Sequence, residues 1–342
     1  MKQMIASATD IESNGDALLP IGEVSALTGV NAVTLRAWQR RFGLVIPART
    51  PKGHRLYTSD NIEEIHEINA WLAKGVAISK VKPLLNSSAK SSNEMLQSQA
   101  VDSWGEQIIA LTTALFDFNQ HKLQQILDDA VGLYPFVLVK EKLLQPWLNQ
   151  LDDLVVERLD ADLIIAWLKS ELLSRIGGRA AFAGQTVSAR IAVINLTHGA
   201  LTPPNSTRTK TLFSLLLLLE LAALRASVID LGNQTIASVS LLSNRLNLDA
   251  LLLLPEPNHS GTEQAEMQAV LAQMTFPCRF VGPFAPTLTS LSAFYTPSIA
   301  DLIGQVSARS TSKARKSIKH TERIDAVSHR EHHKIRKNHD IN

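Results

Sequence analysis

Cysteine is nearly missing from this sequence: Cys278 stands alone, which excludes an intramolecular disulfide and any cluster of thiolate metal ligands. Aromatic residues are also scarce, at 5 % of the chain against 45 % hydrophobic residues, so the core must be aliphatic, built chiefly from Leu, Ile, Val and Ala. A membrane-length apolar run is lacking as well. The most apolar stretch, Leu212 to Leu219, ends at Glu220, whereas a spanning helix needs about 20 such residues. The first 16 residues carry acidic side chains and no apolar segment, so no secretory signal is expected. No Ser-His-Asp, Cys-His or paired-carboxylate set stands out, and no GxGxxG or GKS/T pattern follows Gly177-Gly178, which reads as a helix stop. These absences predict a cytoplasmic protein with no membrane partner, no metal and no catalysis.

What is present is unevenly distributed. The formal net charge is only +2, but residues 309–342 hold ten Lys or Arg against four Asp or Glu, which leaves a mildly acidic body of 24 basic and 28 acidic residues. A chain of 342 residues is expected to form two compact units with tails. Residues 1–17 are polar and expected to be flexible, and the Ser-, Asn- and Gln-rich stretch 86–100 reads as a linker. Over 101–180, Leu111, Leu115, Phe118, Leu123, Ile126, Leu127 and Ala130 recur at helical spacing, predicting a bundle of four or five helices. From 185 to 306 the pattern changes. Strands at Val187–Leu196, Ser227–Leu231 (closed by Gly232), Asp249–Leu254 and Pro277–Val281 alternate with helices at Leu212–Ala226, Ile236–Leu246 and Glu263–Met274. That alternation predicts a Rossmann-like open parallel α/β sheet. Residues 307–342 lack apolar periodicity and are expected to be a disordered basic tail that adds non-specific, salt-dependent affinity for a polyanion.

The most informative segment lies near the amino terminus, at 18–85. Ile21, Val24 and Leu27 share one face of a short helix that Thr28-Gly29 ends. Val30-Asn31 leads into a second helix, Ala32 to Arg41, bearing Arg36, Arg40 and Arg41 beside Trp38, and Gly43-Leu44 closes it. Two short helices joined by a Gly-containing turn form a helix-turn-helix, whose second helix is sized for the DNA major groove. Pro47, Arg49, Thr50, Lys52, Gly53, His54, Arg55 and Tyr57 follow as a cation-rich turn suited to a β-wing on phosphates. The fold class expected is therefore α with α/β: an amino-terminal winged helix-turn-helix, a helical bundle, then the parallel sheet.

The stretch TLRAWQRRFGL followed by PARTPKGHRLY resembles the MerR-type winged helix-turn-helix over roughly 65 contiguous residues. It is similar to the subgroup that fuses this module to a cobalamin-binding-like domain, which includes light-responsive repressors and activators of curli and biofilm genes. The resemblance implies that Thr34, Arg36 and Arg40 face DNA from the recognition helix, and that Arg49, His54, Arg55 and Tyr57 are wing positions. Arg41 and Lys52 join them as cations, either contacting phosphate or merely solvated. Trp38 stands where the family usually has Tyr, either packing in the core or touching phosphate. The family dimerises through the helices after the module, here Ser59–Lys74 and Ile78–Leu85, with Ile62, Ile65, Ile68, Trp71 and Leu72 as the apolar material for an interface.

In that subgroup the bundle and the α/β domain hold a corrinoid. The lower axial ligand is a His opening the first helix of the α/β domain, with Gly three residues later. Aligned on Asp230-Leu231-Gly232, those positions are Lys210 and Phe213. The bundle's Glu-His pair becomes Ala166 and Trp167, and its preceding Trp falls near Val156. A protonated Lys has no lone pair to ligate cobalt, so no cofactor is expected. His198 is the alternative ligand, displaced into a loop, and Glu256, His259 and Glu263 form either a pocket rim or a plain polar loop. The tail histidines His329, His332 and His333 are metal candidates only by composition. The resulting expectation is a sequence-specific regulator that binds a promoter pseudo-palindrome in double-stranded DNA as a homodimer. Its input would come through a cofactor-free sensor or a signalling protein partner. A corrinoid- or other small-molecule sensor and a signalling interaction hub stand as alternatives.

Overall fold

The computed structural model describes residues 18–85, 102–182, 189–197, 204–243, 245–306 and 308. The expected flexible start, the linker at 86–100, His198 and the basic tail with its histidines lie outside the described residues. The chain divides into two units, Met1–Glu171 and Leu172–Asn342.

The first unit begins with the winged module. Strand β1 (Leu19–Pro20) leads directly into helix α1 (Ile21–Thr28). Gly29 ends that helix at φ 70°, its N–H donating to the Ser25 carbonyl at 3.1 Å, a left-handed stop that a Cβ would oppose. The Asn31 side chain caps helix α2 (Ala32–Ala37) by accepting from the Thr34 N–H at 2.8 Å. The expected single helix from 32 to 41 instead relaxes into a π-helical turn, Trp38–Phe42. Strands β2 (Ala48–Arg49) and β3 (Arg55–Tyr57) complete a three-stranded antiparallel sheet ordered β1-β3-β2. A capping box of Thr58 and Asn61 starts helix α3 (Ser59–Ala73), and helix α4 (Ile78–Leu85) follows.

Ile65, Ile68 and Leu72 of α3 are buried with Val24, Leu35, Trp38 and Tyr57. This corrects the expectation that they supply an apolar dimer face: the module's own small core takes them, leaving only Ile62 and Trp71 half-buried. The bundle consists of α5 (Asp102–Phe116), α6 (Gln120–Leu133), α7 (Phe136–Val139) running through a π turn (Lys140–Leu144) into α8 (Gln145–Val155), and α9 (Ala161–Phe182). Its core is aliphatic as expected, with Leu111, Leu115, Leu123, Leu127, Leu151 and Leu168 buried, and one indole, Trp147, donating to the Thr112 hydroxyl at 3.2 Å. Gly177-Gly178 does not stop a helix. α9 passes through both to Phe182, because an isolated glycine pair weakens a helix without breaking its hydrogen-bond ladder.

In the second unit four parallel strands, β4 (Arg190–Leu196), β5 (Ser227–Gln234), β6 (Ala250–Leu254) and β7 (Cys278–Phe280), are ordered β5-β4-β6-β7. They alternate with α10 (Pro204–Ala223), α11 (Ile236–Ser240) and α12 (Gly261–Ala272). The central strands β4 and β6 are buried along nearly their whole length, as uninterrupted aliphatic runs in a parallel sheet should be. Gly232 does not close β5. At φ 64° it sits in a β-bulge, where the pairing steps from Val193↔Asp230 to Asn195↔Asn233, and the strand continues to Gln234. Helix α10 starts at Pro204, earlier than expected, and α11 is only five residues long. Cys278 is buried in the sheet's core cluster, and burial pushes its thiol up to about 12.

Candidate nucleic-acid interface

The winged module brings its cations to two neighbouring elements. Arg36, Arg40 and Arg41 are exposed on α2 and the π turn after it, and Arg49, Lys52 and His54 are exposed on the wing. The wing tip is a tight turn in which the Thr50 N–H donates to the His54 carbonyl at 2.9 Å and Gly53, at φ 83°, donates to the Thr50 carbonyl at 2.8 Å. Half-buried Arg55 ties wing to helix, its Nε donating to Gln39 Oε1 at 3.0 Å. Gln39 was not singled out from the sequence, and nothing in its local pattern marks it. Behind the turn, Val45 adopts φ 52°, unfavourable for a β-branched residue, and its N–H donates to Glu64 Oε1 at 3.0 Å. That contact sets the path from recognition helix to wing.

Two of the expected contact residues, Thr34 and Tyr57, face inward instead, and Trp38 takes the packing alternative. Thr34 is fully buried, beneath the exposed face that carries Arg36 and Arg40. Trp38 is also fully buried, and its indole N–H donates to the Leu133 carbonyl at 2.8 Å, so its role is packing. Tyr57 is 1 % exposed; burial raises its hydroxyl pKa, against the opposing pull of Arg55 and Arg36. In each case the helical or strand period places the side chain on the core face, which a family alignment alone does not distinguish from the groove face. A cleft of about 220 Å³ opens along α2, lined by Arg36, Arg40 and Arg41 on one side and by Asp128 and Asp129 of α6 on the other. Some 90 residues of chain separate the two aspartates from the arginines across the cleft.

The α/β unit has its own candidate site at the carboxyl ends of β4 and β6, paired neighbours from which the strand order runs outward in opposite directions; this topological switch point is where open sheets take ligands. Lys210 of α10 fills it. Its ammonium, 1 % exposed, donates to the Leu196 carbonyl at 2.8 Å and to Glu256 Oε1 at 2.7 Å, and Glu256 is itself buried. Burial lowers the Lys210 pKa, and Glu256 pulls the other way. Glu256, expected on a pocket rim or in a polar loop, is thus half of a buried ion pair. The His259 ring nitrogen accepts from the Glu256 N–H at 3.2 Å, and Glu263 caps α12 through Ser260.

A corrinoid does not fit these residues. The amine at the ligand position already serves two acceptors and offers no free electron pair. The Phe213 ring fills the space beside Gly282, where even a Cβ would meet its Cε1 at 3.4 Å. In the first unit, Trp167 packs edge-on against Phe118 at 5.3 Å between ring centroids. Among the described residues no group of three or more His, Cys, Asp or Glu is placed to hold a metal, and no helix is long and apolar enough to cross a membrane.

Residues 19–88 match the family model described as MerR HTH family regulatory protein. The chain is 44 % identical over 119 residues to the HTH-type transcriptional regulator MlrA of Escherichia coli, covering 35 % of this chain and 46 % of that protein. It is 28 % identical over 137 residues to the HTH-type transcriptional repressor CarH of Myxococcus xanthus, covering 37 % and 44 % respectively. The matched stretch spans about half the length of these relatives. Among solved structures, the chain is similar to the methanol:cobalamin methyltransferase complex MtaBC from Methanosarcina barkeri, at 16 % identity and a TM-score of 0.29 over 70 % of this chain and 91 % of that one. The matched residues 19–88 contain the recognition helix, the wing and the supporting α3, so the amino-terminal module is a MerR-type helix-turn-helix domain.

Proposed function

We propose that this chain is a cytoplasmic transcription regulator that binds a pseudo-palindromic promoter site in double-stranded DNA as a homodimer. The observation that carries the reading is the exposure of Arg36, Arg40 and Arg41 on the recognition helix beside Arg49, Lys52 and His54 on the wing. A helix entering the major groove reads base edges, while a cationic wing neutralises phosphate and releases counterions without sequence preference. The module at 18–85, a linker at 86–100, the bundle at 101–180, the α/β domain at 185–306 and a basic tail are its proposed parts. Substitution separates the roles. Arg36→Ala should lose about 1–3 kcal/mol on a site selected from a random library and much less on mixed-sequence duplex. Lys52→Ala should weaken both alike and flatten the salt dependence by roughly one unit. Equal losses on both DNAs for Arg36→Ala would remove it from base readout.

The α/β domain works in this reading as a cofactor-free input region that answers to a protein partner. Support comes from the Lys210–Glu256 pair and the Phe213 ring, which occupy the space a corrinoid and its nucleotide tail would need. Adding hydroxocobalamin or adenosylcobalamin to the purified chain should leave the cobalamin absorbance spectrum unchanged and no colour with the protein after desalting. Stoichiometric retention at micromolar concentration would overturn the cofactor-free assignment and favour the small-molecule sensor.

A further inference from the structure

The arginines of α2 are exposed to water, but the groove-reading face they stand on is not open to an approaching duplex. Helix α6 lies along it, and the shared cleft sets Asp128 and Asp129 across from Arg36, Arg40 and Arg41. One hydrogen bond ties the module there: the Trp38 indole donates to the Leu133 carbonyl at the end of α6, and Tyr134, just beyond, is buried. Trp104 of α5 backs Tyr134, with ring centroids 4.8 Å apart. We infer that α6 is an intramolecular occupant of the DNA-reading face, and that DNA must displace it to bind.

The geometry supplies a steric reason and an electrostatic one. A helix with its side chains is about 10–12 Å across, which nearly fills a major groove about 12 Å wide. Two helices packed side by side, with axes about 8–10 Å apart, exceed that width, so α2 cannot enter a groove while α6 flanks it. The phosphate strands bordering a groove would also pass where Asp128 and Asp129 stand. Carboxylates there repel phosphate and offer the same guanidinium groups a competing anionic surface. The docked bundle therefore lowers apparent affinity by the fraction of molecules in which α2 is covered. Any input that loosens α6 from the module raises DNA binding without touching a DNA contact.

This inference rests on the DNA-binding reading above, and one experiment on the full chain separates the two. Binding to a fluorescent mixed-sequence duplex is compared for the parent chain, Asp128→Asn/Asp129→Asn, and the control Asp153→Asn/Glu157→Gln, which removes the same charge from exposed positions at the end of α8. The first pair should bind about ten-fold tighter and the control within about two-fold of the parent, since only the first relieves occlusion. Hydrogen exchange across 120–133 should rise when DNA is added to the parent. Equal gains for both pairs, or an unchanged affinity for Asp128→Asn/Asp129→Asn with undiminished protection of α6 in the complex, would overturn the occlusion while leaving DNA binding intact. If the parent and Arg36→Ala bind every duplex equally poorly, including with α6 released by the double substitution, the DNA-binding reading itself fails.

Discussion

Glu256→Ala should destabilise the α/β unit by about 3–5 kcal/mol, because it leaves the Lys210 ammonium buried with only the Leu196 carbonyl to offset its desolvation. The pair stands 2.7 Å apart with both side chains out of water, so neither charge has solvent to fall back on. Cys278 supplies the readout: its thiol is buried and held up near 12, so it reacts with a thiol reagent only when the sheet opens. Labelling at increasing denaturant should show the variant opening at markedly lower concentration. The effect has a sign in pH. The folded-state pKa of Lys210 lies below its ordinary value, so the folded protein binds fewer protons than the unfolded chain between the two values. Stability from this group rises as pH climbs through that window. In Glu256→Ala the counter-charge that raised the Lys210 pKa is gone, so the defect should shrink toward alkaline pH as the amine becomes neutral. Lys210→Met/Glu256→Leu, which removes both charges, should be neutral or more stable than the parent by about 1–4 kcal/mol. A loss under about 1 kcal/mol for Glu256→Ala would mean that water reaches the pair and that the switch point is open.

Trp38→Ala should destabilise the first unit by about 3–5 kcal/mol, the range for deleting a large, fully buried aromatic side chain. Trp38 is among the largest fully buried side chains of the chain, and its ring nitrogen reaches the Leu133 carbonyl. Trp38→Phe keeps most of the apolar volume and removes the donor, so its loss should be only about 1–2 kcal/mol, the penalty of an unsatisfied carbonyl. Chemical denaturation followed by far-ultraviolet circular dichroism distinguishes them. If the Phe and Ala variants fall equally, the hydrogen bond and not the packing is the dominant contribution. If neither moves the transition, Trp38 lies outside the cooperative core of the unit.

Much of this architecture was legible in the residues because it rests on local chemistry. The Gly29 stop, the Asn31 cap and the Thr58–Asn61 box are interactions within a few residues, so the two helices and the wing follow from short-range pattern. The aliphatic runs at 190–196 and 250–254 admit little besides buried parallel strands. Losses occurred where two local readings were compatible. A glycine in a strand reads equally as an ending or a bulge, and Gly232 is a bulge. The glycine pair in α9 was too weak a break to end a helix already secured by packing.

What only the tertiary structure decided concerns which face of each element is covered, and by what. Alternation and helical period give a side chain's face relative to its neighbours, but the identity of the covering surface comes from distant chain. Thr34 and Tyr57 therefore matched family contact positions yet lie in the core, Trp38 takes its packing alternative, and Ile65, Ile68 and Leu72 serve the module's interior rather than a partner. By resemblance, Lys210 stands where the cobalamin-binding-like subgroup has an imidazole. That a carboxylate 46 residues away is its buried partner needed the sheet to bring the ends of β4 and β6 together. Likewise the arginines of α2 announced an anionic ligand from sequence, while their apposition to Asp128 and Asp129 arose from packing over a separation that no periodicity spans. Residue type and spacing determined the elements and the chemistry they carry; long-range packing determined which of those groups are left for DNA.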